Sequence, residues 1–92
     1  MSNLKKFLSN FDENIVIAEH LDYAFVGLAS TEHGYSAIYS TNLIVEQLIE
    51  EDCMDYDTAE EFMINNIISA YSGERSPIFV EFIPRYMWNE NS

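Results

Sequence analysis

From Phe7 to Glu74 the chain has no lysine and no arginine. Its four fixed positive charges, Lys5, Lys6, Arg75 and Arg85, lie near the ends of 92 residues that carry sixteen acids and a formal net charge of −12. That balance opposes direct nucleic-acid binding, because nothing neutralises phosphates. It also opposes docking on an anionic membrane surface. Cysteine is nearly absent: Cys53 alone cannot make an internal disulfide, and this fits a reducing cytoplasm. Glycine is scarce, and Gly27, Gly34 and Gly73 are too far apart to form a phosphate-cradling loop. No apolar run approaches the ~18 residues of a membrane span. Lys5 and Lys6 are followed by Asp12 and Glu13 rather than by an apolar core of signal-peptide length. These absences lead to the expectation of a soluble, cytoplasmic protein.

What is present is enough to fold. Apolar residues make up 48% and aromatics 14% of the chain, so it can build a core despite its charge. The length suits one domain, residues 1–92, divided into an N-terminal segment (1–20), a core (21–83) and a tail (84–92). Leu4, Phe7, Leu8 and Phe11 have helical spacing. Residues 23–29 are apolar on both alternating sets, as in a strand covered on both faces. The Ser30–Gly34 stretch has turn composition, and residues 35–39 return as a second strand.

Ser40, Thr41 or Asn42 can cap the next helix. Advancing about 100° per residue, Ile44, Val45, Leu48 and Ile49 share one side, and Glu46, Gln47, Glu50 and Glu51 the other. Leu43 falls on the polar side, where nothing in the sequence accounts for it. Asp55 begins a further helix, with Thr58 and Glu61 offering a capping box one turn later. Phe62, Met63, Ile67, Ala70 and Tyr71 form its apolar arc. Gly73 and Pro77 end it, and residues 78–83 read as a third strand. The expected fold is α+β: a three-stranded antiparallel sheet with a helix hairpin on one face (ββααβ), plus an N-terminal helix. The second sheet face then needs a cover from the N-terminal segment, the tail or a second copy, and a homodimer is the expected state.

Residues 21–80 resemble a family of short uncharacterised proteins encoded by tailed bacteriophages and some bacteria. The matching pieces are residues 21–27 (Leu-Asp-Tyr-Ala-Phe-Val-Gly), Tyr39 leading into a helix, Asp52-Cys53-Met54, Ala59-Glu60-Glu61-Phe62, Asn66, residues 70–74 (Ala-Tyr-Ser-Gly-Glu), and Ser76-Pro77-Ile78-Phe79. In that family the helix-ending turn usually reads Asp-Gly-Met, and a Gly often precedes the Ala-Tyr pair. Cys53 and Ser69 stand at those positions here. A Cβ makes a left-handed conformation costly, so Cys53 argues against one at this helix end. The resemblance implies a phage-like origin, the host cytoplasm as location, and a shared α+β domain. It implies no catalytic residues.

The chemistry-bearing residues do not assemble into a reactive pattern. Cys53 with His20 or His33 has the residue types of a thiolate–imidazole pair, but Glu50, Glu51, Asp52 and Asp55 surround it in sequence and would suppress a thiolate. Asp55-Tyr56-Asp57 starts like a calcium loop, yet Ala59 and Glu60 stand where an oxygen ligand and a Gly are required. The two histidines and one cysteine lack zinc spacing. No catalytic, metal or cofactor-binding residue is therefore assigned, and the chain reads as a non-enzyme without cofactor. Asn66 falls inside the apolar arc and is expected to be buried, with its amide bonded to backbone.

The interaction candidates are surfaces. Half of all acids, Glu46, Glu50, Glu51, Asp52, Asp55, Asp57, Glu60 and Glu61, fall within sixteen residues. They form a solubilising face or an imitation of a nucleic-acid backbone. Ile64, Ile68 and Trp88 stand outside the expected core and are candidates for a dimer or partner contact. The expected function is that of a small acidic accessory protein that binds a protein partner. The alternative is a nucleic-acid mimic that inhibits a host or defence protein.

Fourteen acids without a basic neighbour from Phe7 to Glu74 repel one another. Raising salt from a few millimolar to physiological strength should raise the melting temperature, because screening weakens that repulsion. A melting temperature that is flat or falls over this range would show that the charges are too dispersed to oppose folding.

Overall fold

A computed structural model describes residues 3–73 and 75–89. Helix α1 (Asn3–Leu8) leads through irregular chain and a 3-10 turn (Asp22–Ala24) into strand β1 (Phe25–Thr31). Strand β2 (Gly34–Ser40), helix α2 (Thr41–Asp52) and helix α3 (Tyr56–Phe62) follow. The chain continues from α3 as a π-helical turn (Met63–Ile67) and a 3-10 turn (Ile68–Ala70), then forms strand β3 (Ile78–Val80) and a last 3-10 turn (Arg85–Met87). The fold is α+β, with the expected N-terminal helix and helix hairpin.

Local chemistry explains most boundaries. Ser40 caps α2 by accepting from the Leu43 N–H at 3.3 Å. Asp55 caps α3 by accepting from the Thr58 N–H at 2.8 Å, so the alternative box at Thr58 and Glu61 is not the cap. That bond holds the Asp55 carboxyl below its ordinary pKa. At the hairpin tip, Thr31 Oγ1 accepts from the His33 N–H and donates to the Gly34 carbonyl. Thr31 pairs with Gly34, which leaves a tighter loop than the composition suggested.

The sheet departs from the expected arrangement. Its order is β1-β2-β3; β1 pairs antiparallel with β2, but β3 pairs parallel with it. The sheet is therefore mixed. A helix hairpin alone would return the chain to the end of β2. The chain is instead found at the Gly34 end, where Arg75 Nη1 donates to Asp12 Oδ2 at 3.2 Å. A Cβ on Gly34 would lie 2.9 Å from that Asp12 oxygen and 3.2 Å from the Arg75 nitrogen. Only after this detour does β3 turn back alongside β2.

A bulge between Phe25 and Gly27 changes which side chains share a face. Phe25 pairs with Tyr39 and Leu28 with Ala37, so both join the Tyr39 face despite their odd and even numbers. Phe79 completes that face, its ring 5.9 Å from Tyr39. Buried against this side are Leu8, Ile15, Ala18 and Leu21 from the N-terminal chain and Ile44, Val45, Leu48, Ala59 and Met63 from the helices. Gly27, Ile38 and Ile78 form a row on the opposite face, and space is open above Gly27.

Two sequence expectations fail for one reason. The π turn accepts i→i+5 bonds and adds a residue to one turn of helix. Past Met63 the apolar face is thereby rotated from its regular α-helical position. Asn66 is exposed, not buried; its amide donates to the Phe62 carbonyl at 3.2 Å, so only the backbone bond is as expected. Ile68 rotates inward and packs on the core, while Ile64 stays exposed. Cys53 is the other correction: it adopts the left-handed conformation (φ 55°, ψ 31°) and its N–H reaches the Leu48 carbonyl.

Two substitutions test this account. Tyr39 is fully buried and its hydroxyl accepts from the buried Ala18 N–H at 2.9 Å. Tyr39→Phe should cost ~1–3 kcal/mol in urea unfolding, because it strands that N–H. Burial pushes the Tyr39 phenol above its ordinary 10.0. The stabilisation is complete below pH 10.0 and lost as pH rises through the higher folded value. The gap between the two proteins should therefore narrow in alkali; a constant gap would place Tyr39 in contact with solvent. At the helix end, Cys53→Gly should stabilise by about 1 kcal/mol by relieving the left-handed Cβ. The check is a higher urea midpoint at unchanged slope.

Candidate functional site

The acid residues run from the middle of α2 through the turn after it and along α3. Glu46, Glu50, Glu51 and Asp52 are exposed on α2; Asp55, Asp57 and Glu61 are exposed at α3, and Glu60 is half-buried. Among the described residues none of the eight pairs with lysine or arginine; the Asp12–Arg75 pair lies elsewhere. The Tyr56 hydroxyl donates to Glu60 Oε2 at 3.3 Å. The charge of Glu60 raises the Tyr56 phenol above its ordinary pKa, with smaller contributions that include Glu81. Tyr23 is raised too, first by burial and then by Asp52. The face is thus a region of uncompensated negative potential.

A second surface lies at the opposite end of α2. Thr41 Oγ1 donates to the Val80 carbonyl at 3.2 Å, and Asn42 Oδ1 accepts from the Phe82 N–H at 2.8 Å. These bonds draw the chain leaving β3 across the first turn of α2. The result is an apolar groove of about 560 Å³ lined by Val26, Ser40, Asn42, Leu43, Phe82, Pro84 and Met87. Its apolar walls are wet: Phe82 is 68% exposed and Met87 65%. Asn42 also borders a cleft of about 300 Å³ lined by Thr41, Val45, Glu46, Ile49, Tyr56 and Glu81.

Of the residues singled out from the sequence, Glu46 lines this cleft. Trp88 is exposed beneath the Arg85 guanidinium, which lies 5.6 Å from its ring centre, and Ile64 is exposed on the π turn; neither lines the groove. Asn66 borders a separate hollow of about 250 Å³ beside His20 and Tyr71. Cys53 is exposed at the end of α2, whereas His20 sits before the 3-10 turn and His33 in the hairpin loop. Among the described residues no three His, Cys, Asp or Glu side chains converge as a metal site. No helix of the described residues is long and apolar enough to cross a membrane.

The groove was missed by sequence reasoning, but one signal pointed to it. Leu43 stands on the polar side of α2, and it faces Val26, Phe82 and Met87 across the groove. Val26 could not be found in this way, because its outward position depends on the bulge in β1. No protein-family model, curated protein or solved structure matches this chain.

Proposed function

We propose that this is a small, acidic, phage-type accessory protein that acts without catalysis by holding a protein partner in the groove at the start of α2. The observation that carries this reading is the concentration of exposed apolar side chains there. Val26, Leu43, Phe82 and Met87 meet around one concavity, and Ile83, Tyr86 and Trp88 of the same stretch of chain are exposed. A domain of this size that leaves so much contiguous apolar surface wet gains by covering it. Aromatic and methionine side chains are those enriched in interface cores. In this reading the acids keep the protein soluble.

Mimicry of a nucleic-acid backbone is the second reading. It is favoured by eight acids within sixteen residues, none of them paired with lysine or arginine among the described residues, since acids one helical turn apart lie roughly 5–6 Å apart.

Capture from bacterial extract separates the two. Wild-type protein should retain a specific partner that is lost with Leu43→Ser, Phe82→Ser and Met87→Ser combined. The same partner should survive Glu50→Gln, Glu51→Gln, Asp57→Asn and Glu61→Gln combined. Loss in the acid variant, with steep salt dependence and competition by DNA or RNA, would transfer the function to the acid face. No specific partner in either case would sink the binding reading altogether.

A further inference from the structure

The groove and the cleft are neighbours by construction. Asn42 lines both. Glu81 faces the cleft and Phe82 the groove, and consecutive Cα atoms lie about 3.8 Å apart. Val45 and Ile49 give the cleft its apolar lining, and Glu46 and Glu81 bring two carboxylates to it. Among the described residues neither carboxylate makes a hydrogen bond or an ion pair. The Thr41 hydroxyl and the Asn42 carbonyl oxygen are already engaged in holding the tail. The cleft therefore offers alkyl contact, two uncommitted negative charges and the Tyr56 ring. A long side chain with a cationic head fits that set: its methylenes lie on the apolar lining, and its head meets carboxylates and an aromatic ring.

Resting on the protein-binding reading, we infer that the two hollows form one bipartite socket. It takes an extended partner segment that carries an apolar side chain two positions from a lysine or arginine, the apolar group in the groove and the cation in the cleft. Charge decides the sign of the partner. No lysine or arginine lines either hollow, and the Arg85 guanidinium lies over Trp88. Charge also argues against a second copy, because two chains of formal charge −12 repel each other. In an extended segment, residues two apart lie roughly 6.5–7 Å apart on one side, a spacing that suits neighbouring hollows.

The test is an NMR titration of the full, isotopically labelled chain with three blocked pentapeptides: acetyl-Leu-Gly-Arg-Gly-Leu-amide, the same peptide with Arg replaced by Glu, and the same peptide with both Leu replaced by Gly. Only the first should shift amides around both hollows, at Leu43, Val45, Ile49 and Phe82. The other two should bind about tenfold more weakly or less. Glu46→Gln with Glu81→Gln, and separately Leu43→Ser, should each weaken the first peptide about tenfold, with melting curves confirming the fold. Glu50→Gln with Glu51→Gln should leave it unchanged. Equal weakening by the Glu50 and Glu51 pair would reduce the effect to diffuse attraction and overturn the socket. So would equal binding of all three peptides, or no binding at 10 mM on the order of the weakest expected affinity. A dimer at tens of micromolar, dissociated by Leu43→Ser, would make a second copy the occupant and overturn the foreign partner. A specific partner captured from extract alongside a failed peptide test would leave the groove reading standing and remove only this chemistry.

Discussion

The fold is organised around Tyr39. Its ring lies at the centre of the sheet, between Phe25 on one neighbouring strand and Phe79 on the other. Its hydroxyl reaches out of the sheet to the Ala18 N–H and so ties the N-terminal chain to the middle strand. Residues 9–21 have little regular structure of their own, and their backbone groups need partners once buried. Tyr39 supplies one at the position where Ile15, Ala18 and Leu21 enter the core. An aromatic ring with a polar end suits this role, since it fills the core and satisfies a buried donor.

The return of the chain to the Gly34 end of β2 is the second constraint. It makes β3 parallel to β2 and allows Asp12, Gly34 and Arg75, far apart in sequence, to meet. The ion pair is only half-buried, so its direct energetic contribution is small. It marks the place where the chain turns back toward β3. Gly34 is required by the close approach as much as by its positive φ. From that turn, β3 delivers Glu81 and Phe82 to the first turn of α2, where Thr41 and Asn42 fasten the tail.

Helix α2 thereby separates two kinds of surface. Twelve residues at about 1.5 Å each give it a length of roughly 18 Å. The acids gather at its C-terminal end and the exposed apolar side chains around its N-terminal end. Over such a distance, water and salt screen much of the interaction between exposed charges. The acids at the C-terminal end of α2 therefore act only weakly on the groove. Glu46 and Glu81 are the exceptions, since they bring negative charge next to the apolar walls.

The sequence by itself determined the α+β class, the hairpin, both helix starts and the acid face. Those features rest on local signals: Ser40 and Asp55 as caps, the apolar pattern of α2, and eight acids in one short stretch. What lies beyond local pattern was decided by the tertiary structure. The orientation of β3 depends on Arg75 lying at the Gly34 end of β2, and no short-range preference records that placement. The bulge at Val26 changes the faces of β1 through pairing with β2, which an alternation count along one strand cannot register. The π turn at Met63–Ile67 shifts the helical phase, so a regular wheel misplaced both Asn66 and Ile68. Cys53 holds a left-handed conformation against its intrinsic preference because the helix-ending turn between two packed helices requires it. The groove belongs to the same class: Leu43 was visible as an anomaly, but only packing brought Val26, Phe82 and Met87 around it.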